Sequence, residues 1–185
     1  TMETAFAPAA RARPGQIHLQ ARQIAANAFF RDLANTLPEI VLVLNPQRQV
    51  VFANTAFCEA VGVATPAEAN GQRVGELMLC MHADEMPGGC GTAPACAKCG
   101  QMLAILGGQK GKPTTKEARI ALADGGALDL RVTATPMDVE GRRFVVILAT
   151  DIQGERQSQI YERLLLRDVG RGVETMNELF RGTSE

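Results

Sequence analysis

The chain has 185 residues, 19 basic against 20 acidic side chains, and a formal net charge of −1. That balance excludes a broad basic surface for nucleic acid, and 46% apolar against 21% charged residues excludes a disordered chain. The length fits one domain with extra helices. Apolar runs such as residues 144–149 are far too short to span a bilayer, and no leader-like segment opens the chain, so a cytoplasmic protein with no membrane partner is expected.

Residues 1–15 are rich in Ala, Pro and Arg without a period, which predicts a flexible tail. Over residues 16–37, Ile24, Ala25, Phe29, Leu33 and Leu37 recur at near-helical spacing, which predicts one N-terminal helix stopped by Pro38. Residues 39–44 and 49–53 read as a β-hairpin across Asn45-Pro46-Gln47. Asn54-Thr55 can cap a short helix closed by Gly62, and Thr65-Pro66-Ala67-Glu68 is another helix start. Residues 77–100 have no clean period and carry four cysteines. A helix over 101–106 is expected to end at Gly107-Gly108. Three strands follow, at 116–122, 127–136 and 143–150, with turns at Asp124-Gly125-Gly126 and Glu140-Gly141. In the middle strand Leu128, Leu130, Val132 and Ala134 fall on one face. Residues 153–185 read as a charged output helix. Strand runs split by a helical block predict an α+β fold on one five-stranded antiparallel sheet.

That order resembles a PAS sensory domain over residues 38–152. Glu39-Ile-Val-Leu-Val-Leu-Asn45 and Val50-Val-Phe-Ala-Asn54 resemble the first two PAS strands, and Phe144 through Asp151-Ile152 resembles the last strand with its lead into an output helix. The insert, with Cys80-Met-His82, Gly88-Gly-Cys90-Gly-Thr and Cys96-Ala-Lys-Cys99-Gly100, is similar to that of a subgroup of bacterial sensor histidine kinases. The resemblance implies a sensor module, with a histidine kinase or response regulator as partner. Arg167 stands where that subgroup has its phosphoacceptor His, and no ATP-binding domain falls within the 185 residues, so this chain is not expected to be an enzyme.

The spacing Cys80-x9-Cys90-x5-Cys96-x2-Cys99 supplies four thiolates, the ligand set of a zinc ion or an iron–sulfur cluster. Only one tight Cys-x2-Cys pair is present, where structural zinc usually uses two, and the run is near but not equal to a plant-type ferredoxin pattern. The cluster is slightly preferred, with zinc and a disulfide switch as alternatives. The zinc alternative goes with a purely structural metal, the domain then sensing a small molecule or binding a partner protein. His82 is either a further ligand, a donor behind the ligands, or a surface residue. Cys58, on a short helix beside Phe57 and Val61, reads as a buried small hydrophobe. The flavin-type Asn-Cys-Arg-Phe-Leu motif is absent and no His lies between Cys99 and Leu130, so neither flavin nor haem is expected. A thiol–disulfide oxidoreductase built on Cys96 and Cys99 lacks the βαβ frame that usually carries such a motif.

Ile160, Leu164, Leu166, Val169, Val173, Met176 and Phe180 recur near a heptad seam. With the first helix, they predict a homodimer through the N- and C-terminal helices, with Gly170 and Gly172 weakening the seam by about 1 kcal/mol each.

Overall fold

The computed structural model describes residues 2–158 of the chain. The chain divides into two units after Asp151. The first holds helices α1 (Pro14–Ala25), α2 (Ala28–Thr36), α3 (Thr55–Val61), α4 (Pro66–Ala69), α5 (Val74–Leu77) and α6 (Gly100–Gln109). Its strands are β1 (Ile40–Leu44), β2 (Val50–Ala53), β3 (Thr114–Ala121), β4 (Ala127–Val139) and β5 (Arg142–Asp151). In the second unit, residues 153–158 are helical, with the Arg156 amide donating to Ile152 O. The predicted seam from Ile160 to Phe180 and the Arg167 position lie outside the described residues.

The five strands form one antiparallel sheet in the order β2-β1-β5-β4-β3. The expected α+β class and sheet are therefore present. β1 sits inside the sheet and is buried on both faces, which explains its unbroken Ile-Val-Leu-Val-Leu run. Leu42 and Leu44 enter a core with Phe57, Ile105, Leu130, Val132 and Ile147. Val41 and Val43 face the opposite way, toward Ile17, Ile24, Ala34, Phe52 and Phe144. Full burial of each such side chain stabilises the fold by about 1.5–3 kcal/mol. α1 and α2 thus cover one face of the sheet, and α3 and α6 cover the other.

Several expectations change here. The single helix over 16–37 is two helices, because the Asn27 side chain accepts the Phe30 amide and starts α2 afresh. The stripe read on one face also splits: Ile24 is buried, whereas Phe29 and Leu33 are 79% and 50% exposed. Residues 1–15 are not a frayed tail over the described stretch. The Ala5 and Ala7 amides donate to Thr92 O and Gly91 O, and Ala7 is buried. α6 runs through Gly107 and Gly108 instead of stopping before them. A Cβ at Gly107 would strike Thr114, and one at Gly108 would lie 2.8 Å from Val145 Cγ1, so these glycines let the helix lie close on the sheet.

Asn54 ties the hairpin to its neighbours. Its fully buried side chain accepts from the Val41 and Phe57 amides at 3.0 and 3.1 Å and donates to Ala34 O and Glu39 O. It caps α3 as the Asn-Thr pair predicts, and Gly62 ends that helix in the left-handed region. Replacing Asn54 with Ala leaves four buried backbone groups without their partner. We expect a loss of about 3 kcal/mol in urea unfolding at unchanged slope.

Candidate functional site

The four predicted ligands enter from separate elements. Cys80 follows α5, where its amide donates to Gly75 O and it bridges Leu122 beyond the end of β3. Cys90 lies in the loop after Met86. Cys96 sits in a 3-10 turn over Pro94–Lys98, and Cys99 is the residue before α6. All four line one cavity of about 240 Å³ between that insert, α6 and β3, with Val74, Met102, Ile105 and Ile120 as its apolar wall. His82 lines it too, and its Nδ1 is paired with Glu85 Oε1 at 2.5 Å. Cys58 lies elsewhere, buried in the main core as expected.

Small residues set this geometry. A Cβ on Gly75 would lie 2.6 Å from Cys90 Sγ and 3.4 Å from Cys80 Cβ, so only glycine lets both cysteines close on α5. A Cβ on Gly100 would strike the Glu117 carbonyl, so glycine is also what seats Cys99 and the start of α6 against β3.

Two buried arginines, which the sequence reading did not single out, complete the wall. Arg73 is 1% exposed. Its guanidinium donates to the carbonyls of Gly88 and Cys90 in the insert, Gln47 in the β1–β2 turn, and Pro8, Ala9 and Ala10 in the N-terminal segment. Burial, with Arg48 and Arg11 nearby, lowers its pKa to about 10, so it stays charged at neutral pH. Arg48 follows the β1–β2 turn at a positive φ of 64° and donates to Pro8 O at 2.6 Å. Glu76 pairs with Arg11 and accepts the Arg73 and Cys90 amides.

Burial raises the thiol pKa of Cys80 and Cys99 and pushes Cys90 up to about 12. Backbone N–H groups work in the other direction, favouring the thiolate: His82 for Cys80, Gly75 for Cys90, and Met102 and Gln101 at the start of α6 for Cys99. Arg48, Arg73, Lys98 and Arg119 are the cationic residues that line the same cavity. Among the described residues no three His, Cys, Asp or Glu side chains form a group that could hold a metal ion. All five cysteines are free thiols.

Residues 28–93 match the family model for the PAS domain. With the five-stranded antiparallel sheet and its helices, that match decides the fold. The chain carries a PAS fold. Among solved structures, the PAS domain of an HTR-like protein from Haloarcula marismortui is 16% identical with a TM-score of 0.47, over 73% of this chain and 98% of that one. The PAS domain of nitrogen regulation protein NR(II) from Vibrio parahaemolyticus is 18% identical with a TM-score of 0.47, over 66% and 96%. That of BvgS from Bordetella pertussis is 18% identical with a TM-score of 0.43, over 73% and 93%. No curated protein matches the chain. The PAS match ends at Ala93, before Cys96 and Cys99, and the cysteine-rich type of the insert rests on the sequence resemblance alone. No helix among the described residues is long and apolar enough to cross a membrane.

Burial raises the Glu76 carboxyl pKa, but the Arg11 guanidinium and the Arg73 and Cys90 amides more than offset this, and the net shift is below the ordinary 4.5. A depressed carboxyl stabilises the fold above its unfolded pKa and loses that contribution as pH falls through the folded value. Stability therefore falls as the medium is acidified below about pH 4.5. Denaturant titrations across that range are expected to show a smaller acid-dependent loss for Glu76→Gln than for the natural chain.

Proposed function

We propose that this chain is a sensor module of a histidine-kinase-type signalling protein whose input group is held by Cys80, Cys90, Cys96 and Cys99. The carrying observation is the convergence of these four side chains, from separate parts of the fold, on one largely apolar cavity. N–H donors at three of the sulfurs favour the thiolates that a metal centre requires.

An iron–sulfur cluster suits this cavity better than a single zinc ion. Zinc draws four sulfurs to about 2.3 Å from one point, and no trio of ligating side chains among the described residues does so. A cluster spreads its thiolates over several metal atoms, which suits four cysteines that come from separate elements around a cavity of about 240 Å³. When bound, it supplies one-electron redox chemistry and sensitivity to oxygen. The protein's own residues do the rest. The thiols give up protons on binding, the apolar wall limits water, and N–H groups at the sulfurs tune the centre's electronics. Cys99 stands directly before α6, and α6 packs on β3, β4 and β5, the strand that runs into the output segment. A change of state at Cys99 therefore has a packed route to β5.

The other reading is a zinc-stapled insert with a small-molecule signal. It is favoured by a second, mostly apolar cavity of about 580 Å³ lined by Ile40, Ala56, Val61, Leu77, Leu128 and Ala149. Anaerobic reconstitution with ferrous iron and sulfide separates the two. Brown protein containing iron and sulfide, lost when all four cysteines become Ser, is the expected result. Colourless protein with one zinc per chain overturns the cluster reading.

For the partner, we place a second copy of the chain against α1 and α2, where Leu19, Phe29 and Leu33 are exposed. The double variant Phe29→Glu, Leu33→Glu is expected to shift the protein from dimer to monomer in sedimentation without lowering its melting temperature.

A further inference from the structure

Arg48 is spent on the fold only in part. Its side chain is buried, with 5% of the residue exposed, and lines the cysteine cavity. One Nη donates to Pro8 O, while Nε is buried and has no hydrogen-bond partner. A buried donor left unmade costs about 1–3 kcal/mol. The backbone adds to that cost, because φ of 64° is a region where L side chains are disfavoured. Gly91, next to Cys90, keeps the space beside Nε clear, since a Cβ there would lie 3.3 Å from it. Cys90 and Cys96 line the same cavity as Arg48.

We infer that Arg48 is the charge-compensating donor for the anionic group the cysteine cavity holds, its free Nε hydrogen-bonding to a sulfur of that group. This rests on the functional reading above and assigns a residue to it that is not a ligand. Four thiolates around a doubly charged core carry two net negative charges. Of the four cationic residues in the lining, Lys98 and Arg119 are exposed and Arg48 and Arg73 are buried, and the Arg73 guanidinium is committed to backbone carbonyls. Arg48 is the one of the pair with a donor to spare. An unmet buried donor and an excess of buried cation are both unfavourable, and a thiolate-bound anion removes both.

The test compares the natural chain with Arg48→Met and Arg48→Lys. Each is stripped of metal, melted, then loaded anaerobically with ferrous iron and sulfide or, separately, with zinc. For Arg48→Met we expect a metal-free melting temperature no lower than that of the natural chain. Its loaded centre should be lost to chelator at least tenfold faster. Its reduction potential should move negative by a tenfold change in the oxidised-to-reduced ratio, about 59 mV for one electron. Arg48→Lys, which keeps the charge without Nε, should fall between, and carries the comparison if Arg48→Met does not fold. A lower metal-free melting temperature with unchanged release and potential makes Arg48 a strut and overturns the assignment. If the natural chain takes up zinc but no cluster, the cluster reading fails while tenfold faster zinc release from the variant still supports Arg48, and equal release overturns it. If it takes up neither, both fall together.

Discussion

The buried guanidinium of Arg73 is the constraint on which the cysteine insert depends. A loop that carries Cys80 to Cys99 with little regular structure cannot form a defined cavity by apolar packing alone. Arg73 supplies the missing definition by donating to carbonyls on the N-terminal segment, the β1–β2 turn and the insert. Three parts of the chain distant in sequence are thereby held to one charged centre. Such a bond to a charged donor contributes about 1.5–3 kcal/mol, and together they offset the cost of burying the cation.

This arrangement leaves the neighbourhood rich in positive charge. Glu76 is paired with Arg11, and burial raises the thiol pKa of Cys80, Cys90 and Cys99, which favours the protonated form. A metal centre reverses that state, because its ligands must be thiolates. Under the proposed reading, the thiolates of such a centre would offset the positive charge of the buried arginines, and occupancy would be coupled to local packing. That coupling is what a sensor requires, since a ligand shifts a conformational equilibrium only by its differential affinity for the two states.

Much of the fold was legible in the residues. The β1–β2 hairpin, the Asn54 cap, Gly62 and the two glycine turns of the last three strands are local features, and each depends on neighbours within a few positions. The unbroken apolar run of β1 matches its burial on both faces, which the hairpin reading alone did not state. Local rules failed where a distant partner decided the outcome. Gly107 and Gly108 read as a stop, yet α6 continues because Thr114 and Val145 occupy the space a side chain would need. The first fifteen residues read as a tail, yet the groups that order them, the Arg48 and Arg73 guanidinium donors and the Gly91 and Thr92 carbonyl acceptors, lie far along the chain.

The sequence by itself determined the succession of helices and strands, the PAS likeness and the spacing of the four cysteines, because spacing and turn chemistry are properties of adjacent residues. Only the tertiary structure decided that those cysteines share one cavity with His82, that two arginines are buried in its lining, and that Arg48 Nε has no hydrogen-bond partner. Nothing in a sequence distinguishes Arg48 or Arg73 from a surface arginine. Burial and hydrogen-bond satisfaction belong to the packed chain, and they are what turn an ordinary residue type into part of a site.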